Sequence, residues 1–143
     1  MTDGSVRFDG RVAIVTGSGR GLGREYAVSL GRLGAAVVVN STKEKTAQST
    51  AEEIIRAGGT AVAVVGSVAD RLTADSLVEA AVKNFGRVDI VINDAGSGDS
   101  ANFENEMTSK LSDSFSVHVV GAWNVTQAAW PYMKAVPRSV LKR

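Results

Sequence analysis

Three glycines set the chemistry this chain can do. The apolar, β-branched run Val12-Ala13-Ile14-Val15-Thr16 passes directly into Gly17-Ser18-Gly19-Arg20-Gly21-Leu22-Gly23 and then into a segment of helical spacing. Such a turn points backbone N–H groups and the positive end of the helix at one place, and the missing side chains leave that place open. A pyrophosphate suits it, and with it a dinucleotide. The spacing is Gly-x-x-x-Gly-x-Gly rather than Gly-x-Gly-x-x-Gly, and a glycine string alone carries little. The strand before it and the helix after it give it meaning.

The elements that hold this turn alternate in strand and helix period along the chain, the pattern of βαβ units and a parallel sheet. A first strand is expected over Arg11 to Thr16. A helix from about Gly21 to Leu33 is expected to bury Leu22, Tyr26, Leu30 and Leu33 and to stop at Gly34. Ala36 to Asn40 is an apolar run of the kind buried on both faces of a sheet. Lys43 to Ala57 reads as a second helix through Ala47, Ala51, Ile54 and Ile55, ended by Gly58-Gly59, with a third strand at Ala61 to Val65. Thr73 to Phe85 is a third helix burying Leu77, Val78, Ala81, Val82 and Phe85, followed by Gly86 and a fourth strand at Val88 to Ile92. Ser97 to Ser109 is polar loop with a short turn. Lys110 to about Lys134 is a long helix with a kink or fray expected near Pro131. That helix is apolar on two sides, with Leu111, Phe115, Val119, Ala122 and Thr126 on one and Trp123 and Trp130 on another. The second side covers either a partner or the rest of its own subunit.

The bulk numbers close off other classes. The 143 residues fit one domain, and 44% hydrophobic with 22% charged is ordinary for a globular chain. A net charge of +1, with both signs interspersed, offers nucleic acid no footprint. With no cysteine and His118 as the one histidine, disulfides, thiol chemistry and a zinc site are not expected. The N-terminus has no apolar core like that of a signal peptide, and no apolar run is long enough to span a bilayer, so the expected location is cytoplasmic. Neither repeats nor low-complexity segments occur.

Three motifs in register resemble those of the short-chain dehydrogenases/reductases. Thr16-Gly17-Ser18-Gly19-Arg20-Gly21-Leu22-Gly23 matches that family's Thr-Gly-x-x-x-Gly-x-Gly motif, and Asn93-Asp94-Ala95-Gly96 resembles its Asn-Asn-Ala-Gly motif after the fourth strand. Val117-His118-Val119-Val120-Gly121 through Ala128-Ala129-Trp130-Pro131-Tyr132-Met133 is similar to the helix that follows. The likeness runs from Phe8 to about Ala135. It implies a Rossmann-type α/β fold, a doubly wound parallel sheet of order 3-2-1-4 over the strands present, in a single domain spanning residues 1–143.

The resemblance implies a site as well. It lays Gly17, Ser18, Arg20, Gly21, Leu22 and Gly23 along the cofactor, with Gly23 letting the helix pack tightly on the first strand. The alternative is a glycine-rich turn that binds nothing. Asn93 would stabilise the sheet, while Ala95 and Gly96 run beside the cofactor ribose. Asp94, where the family has its second Asn, is expected to point to solvent. The acid that grips the 2′-hydroxyl of NAD in such sites is missing: Asn40-Ser41-Thr42-Lys43 stands there instead. Arg20 and Lys43 suit the 2′-phosphate of NADP, so NADP is favoured over NAD, the alternative being two solvated surface charges. Ser67 and Val68 occupy the place of the adenine-holding Asp-Val pair. His118 stands where the family carries the Asn of its catalytic tetrad. A His there is similar to relatives of the 3-hydroxyacyl-CoA dehydrogenase kind and implies an acyl-CoA substrate. The other reading is a helix histidine satisfied by a carbonyl.

Hydride transfer in this family needs a serine and a Tyr-x-x-x-Lys pair. Tyr26 is followed four residues on by Leu30 and Tyr132 by Val136, so no such pair exists in the sequence. Residues 136–143, Val-Pro-Arg-Ser-Val-Leu-Lys-Arg, break the pattern and read as an atypical tail, as a frame disruption or early stop would produce. On that reading the chain is an inactive oxidoreductase or a remnant that only binds nucleotide or a partner. Its fourth strand would be an apolar edge through Val88, Ile90, Val91 and Ile92, which invites oligomerisation or aggregation.

Overall fold

The computed structural model describes residues 6–98 and 102–134. The atypical tail at 136–143 lies outside the described residues. Four strands, β1 (Val12–Val15), β2 (Ala36–Ser41), β3 (Thr60–Val65) and β4 (Ile90–Ile92), form a parallel sheet of order β3-β2-β1-β4. Between them run α1 (Gly21–Arg32), α2 (Glu44–Arg56) and α3 (Arg71–Phe85). A single 3₁₀ turn (Phe103–Asn105) precedes α4 (Thr108–Phe115), a π-helical stretch (Ser116–Gly121) and α5 (Ala122–Met133).

Strand alternation divides the core in two. Ala13, Val15, Val37 and Val39 face α1 and α2, meeting Ala27, Val28, Leu30, Ala51 and Ile54. Val12, Ile14 and Val38 face the other way, onto Leu77, Val78 and Ala81 of α3 and Val125 and Ala129 of α5. Each face of the sheet is thereby covered by a helical layer, as a parallel sheet requires.

Several expectations are corrected. In α1, Leu22 and Tyr26 are 67% and 41% exposed. The buried face is Gly23, Ala27, Val28, Leu30 and Gly31, where the glycines and Ala27 let the helix lie close to its neighbours. Ile55 of α2 faces solvent, with Ala47, Ala51 and Ile54 turned inward. α3 begins at Arg71 rather than Thr73, because the Asp70 carboxylate accepts the Leu72 N–H at 2.9 Å and caps it. β4 is only three residues long, since Asp89 uses its side chain to accept the Val12 N–H at 2.9 Å. The long final helix is not uniformly α-helical: its middle six residues widen to π geometry. It runs through Pro131 without ending there. Of its two expected buried sides only Ala122 is even half-buried; the side meeting the sheet is Gly121, Asn124, Val125 and Ala129.

Asp89 also pins the sheet at the end remote from the glycine turn. Its carboxylate, 3% exposed, takes Arg87 Nη2 at 2.6 Å and Arg11 Nη1 at 3.3 Å. Burial alone would raise this carboxyl, but the hydrogen bonds from Arg87, the Val12 N–H and Arg11 more than offset it and hold it below the usual carboxylate range.

Candidate functional site

The glycine turn closes on itself through backbone and two buried side chains. Gly17 has φ +64°, and a Cβ there would lie 2.7 Å from the Ala95 Cα, so both the turn and the crossing demand glycine. Gly23 is in the first turn of α1, where a Cβ would come within 2.6 Å of the Gly17 carbonyl oxygen. At Gly21 a Cβ would meet nothing within 4 Å, so that position opens onto the cleft. Ser18 is fully buried and donates through Oγ to the Val15 carbonyl at 2.7 Å while accepting the Asn40 N–H at 3.0 Å. Asn40 is buried as well. Its Oδ1 accepts the Gly17 N–H at 3.3 Å, and its Nδ2 donates to the Val64 and Gly66 carbonyls at 3.2 and 3.1 Å. Ser18 and Asn40, expected along the cofactor, thus spend their side chains on shaping the turn.

Thr16 performs the matching task on the far side. Its Oγ1 accepts the Asp94 and Ala95 N–H groups at 3.1 and 3.0 Å and donates to the Ile92 carbonyl at 3.4 Å, fixing the loop after β4 to the end of β1. Asn93 ties the same loop to α5, donating from Nδ2 to Thr126 Oγ1 at 3.1 Å. Asp94 does not simply point to solvent: its Oδ2 stands 2.7 Å from where a Gly23 Cβ would be.

Between these two loops lies a cleft of about 760 Å³, within the range of ligand sites. Gly17, Arg20, Gly21, Leu22, Ser41, Ser67, Val68, Ala95 and Gly96 line it, so most of the expected residues are brought together. Lys43 lines it too, and neither Arg20 nor Lys43 forms an ion pair with another described residue. Ser41 is less available, because its Oγ is 2.8 Å from Thr46 Oγ1 and accepts the Lys43 N–H at 3.2 Å. Ser67 Oγ accepts the Ala69 N–H at 3.3 Å, and Val68 is buried beneath Gly121. Asn124, which sequence reasoning missed, holds that wall by donating to the Val68 and Ala69 carbonyls at 3.1 and 3.3 Å. Its signal was a polar residue on the one face of the helix that is otherwise small and apolar.

His118 sits in the π-helical stretch with its ring against Gly96, where a Cβ would be 2.7 Å from Cε1. With Nε2 protonated it donates to the Ser97 carbonyl at 3.1 Å; in the other tautomer Nε2 accepts the Ser97 N–H at 3.2 Å. The ring is engaged by backbone in either form.

A model of the short chain dehydrogenase family matches residues 11–140. The chain belongs to that family. The peroxisomal multifunctional enzyme type 2 of Drosophila melanogaster is 42% identical over 142 residues, which cover 93% of this chain and 23% of that protein. A hydroxysteroid dehydrogenase from Escherichia coli superposes with TM-score 0.84 at 30% identity, over 90% of this chain and 55% of that one. A 7α-hydroxysteroid dehydrogenase complexed with NADH and 7-oxo glycochenodeoxycholic acid gives 0.83 at 30% identity, over 90% and 50%. This short-chain dehydrogenase chain therefore spans about half the length of the solved relatives and a quarter of the multifunctional one. The sheet order and the glycine cradle are those of a Rossmann NAD(P)-binding fold. No helix among the described residues is long and apolar enough to cross a membrane.

Proposed function

We propose that this chain is the dinucleotide-holding part of an NAD(P)-dependent oxidoreductase acting on a hydroxyl or carbonyl group, with NADP(H) preferred. One observation carries the reading: the glycine cradle at the ends of β1 and β4 opens on a cleft whose rim bears Arg20 and Lys43 and, at the end of β2, no acid. The free N–H groups at the start of α1 receive the pyrophosphate. Arg20 and Lys43 meet the 2′-phosphate, Ser67 and Val68 bound the adenine, and Ala95 and Gly96 run beside the ribose. A bound nicotinamide would be the group able to supply or accept a hydride. His118, held between its helix and Ser97, positions the loop that carries Ala95 and Gly96 rather than moving a proton. The likeness to a multifunctional peroxisomal enzyme and the wording around His118 support a 3-hydroxyacyl-CoA as the substrate class.

These 143 residues contain no Tyr-x-x-x-Lys, so the chain alone binds nucleotide without turning substrate over. Titration of the purified chain with NADP⁺ and NAD⁺ tests this. NADP⁺ is expected to bind more tightly, and Arg20→Leu with Lys43→Leu to cost about tenfold for NADP⁺ with little change for NAD⁺. Tighter binding of NAD⁺ would reverse the preference. Turnover abolished by His118→Ala would return that residue to catalysis.

A further inference from the structure

Asp94 is the one acidic side chain among the residues lining the cradle cleft, and its place there is unusual. α1 begins without help: its N-cap Arg20 makes no side-chain cap and its first turn holds no acid. The carboxylate at that end arrives from across the sheet. The Thr16 hydroxyl fixes the Asp94 backbone, and Oδ2 comes to rest where a side chain on Gly23, the third residue of α1, would begin. No ion pair or hydrogen bond to the Asp94 carboxylate forms among the described residues. The start of a helix carries a positive field, and this carboxylate lies beside the third residue of α1.

A pyrophosphate bound at the same turn draws on the same field. We propose that Asp94 sets the affinity of the cradle, acting as a resident anion that a bound pyrophosphate must share the start of α1 with. The inference rests on the dinucleotide reading and deepens it. In the unliganded chain the carboxylate steadies α1; in the complex two negative groups lie within one helical turn. Replacing it by an amide of the same shape keeps the packing on Gly23 and removes the repulsion.

The experiment titrates the full chain, wild type, Asp94→Asn and Asp94→Ser, with NAD⁺, ADP and adenosine at low and at high ionic strength, with circular dichroism to confirm folding. Both variants are expected to bind NAD⁺ and ADP about three- to tenfold more tightly than wild type at low salt. Adenosine, which carries no phosphate, is expected to bind all three alike, and the gain to shrink at high salt. Folded variants that bind NAD⁺ no more tightly than wild type overturn the proposal and leave the dinucleotide reading standing. Equal gains for adenosine overturn it too, because the change would then be one of cleft shape. If no folded form binds NAD⁺ or ADP, the dinucleotide reading falls and the proposal falls with it.

Discussion

At Gly23 a single methyl group decides whether α1 can close on the sheet. The added carbon would press on the Gly17 carbonyl at 2.6 Å and on the Asp94 carboxylate. Gly23→Ala is expected to destabilise the chain by about 1–3 kcal/mol and to abolish nucleotide binding, measured by thermal melting and titration; a variant that melts and binds like wild type would remove Gly23 from the cradle. Asn40→Ala leaves the Gly17 N–H and two carbonyls without their side-chain partner, and about 1–3 kcal/mol should be lost in urea unfolding. These residues were legible to different depths. Gly17 and Gly23 announce themselves because only one residue type fits a left-handed turn or a close crossing. Asn40 was found by its position near the end of β2, but nothing in the sequence says that its amide turns inward.

The elements were legible by kind, and their inward faces less so. The inward faces of α1 and the final helix mix glycine and alanine with only a few larger residues, Val28 and Leu30 in one and Val125 in the other, and a reading that seeks large apolar side chains places much of those faces outward. Leu22 and Tyr26 in one helix, and Trp123 and Trp130 in the other, are consequently found in solvent rather than in the core. The π-helical stretch has no sequence signal of its own, for it arises where the helix must meet Ser97 and Val68 together. Asp89 binds β4 to β1, and its effect depends on pH. Because its folded pKa lies below the unfolded value of about 3.9, its stabilisation is fully present above that value and is lost as pH falls through the folded one. Asp89→Asn is expected to lower stability at neutral pH by about 2–3 kcal/mol and to flatten the acid limb, followed by urea midpoints across pH.

For the whole molecule the outer side of the last helix matters most. Leu111, Phe115, Val119, Trp123 and Trp130 are all at least half exposed, and β4 lies at the edge of the four-stranded sheet. Surfaces of this kind invite association. The chain is expected to sediment with concentration-dependent mass, and Phe115→Glu with Trp123→Glu to shift it toward monomer; a wild-type monomer stable to dilution would contradict this. The π-helical stretch reaches further than its length suggests. Through His118 it grips one wall of the cleft, and through Gly121 and the neighbouring Asn124 it grips the other. A ligand that contacts both walls binds only the closed arrangement, so its binding lowers the population of any state in which this helix opens. Added nucleotide should therefore slow amide exchange in the middle of this helix, at groups it never touches.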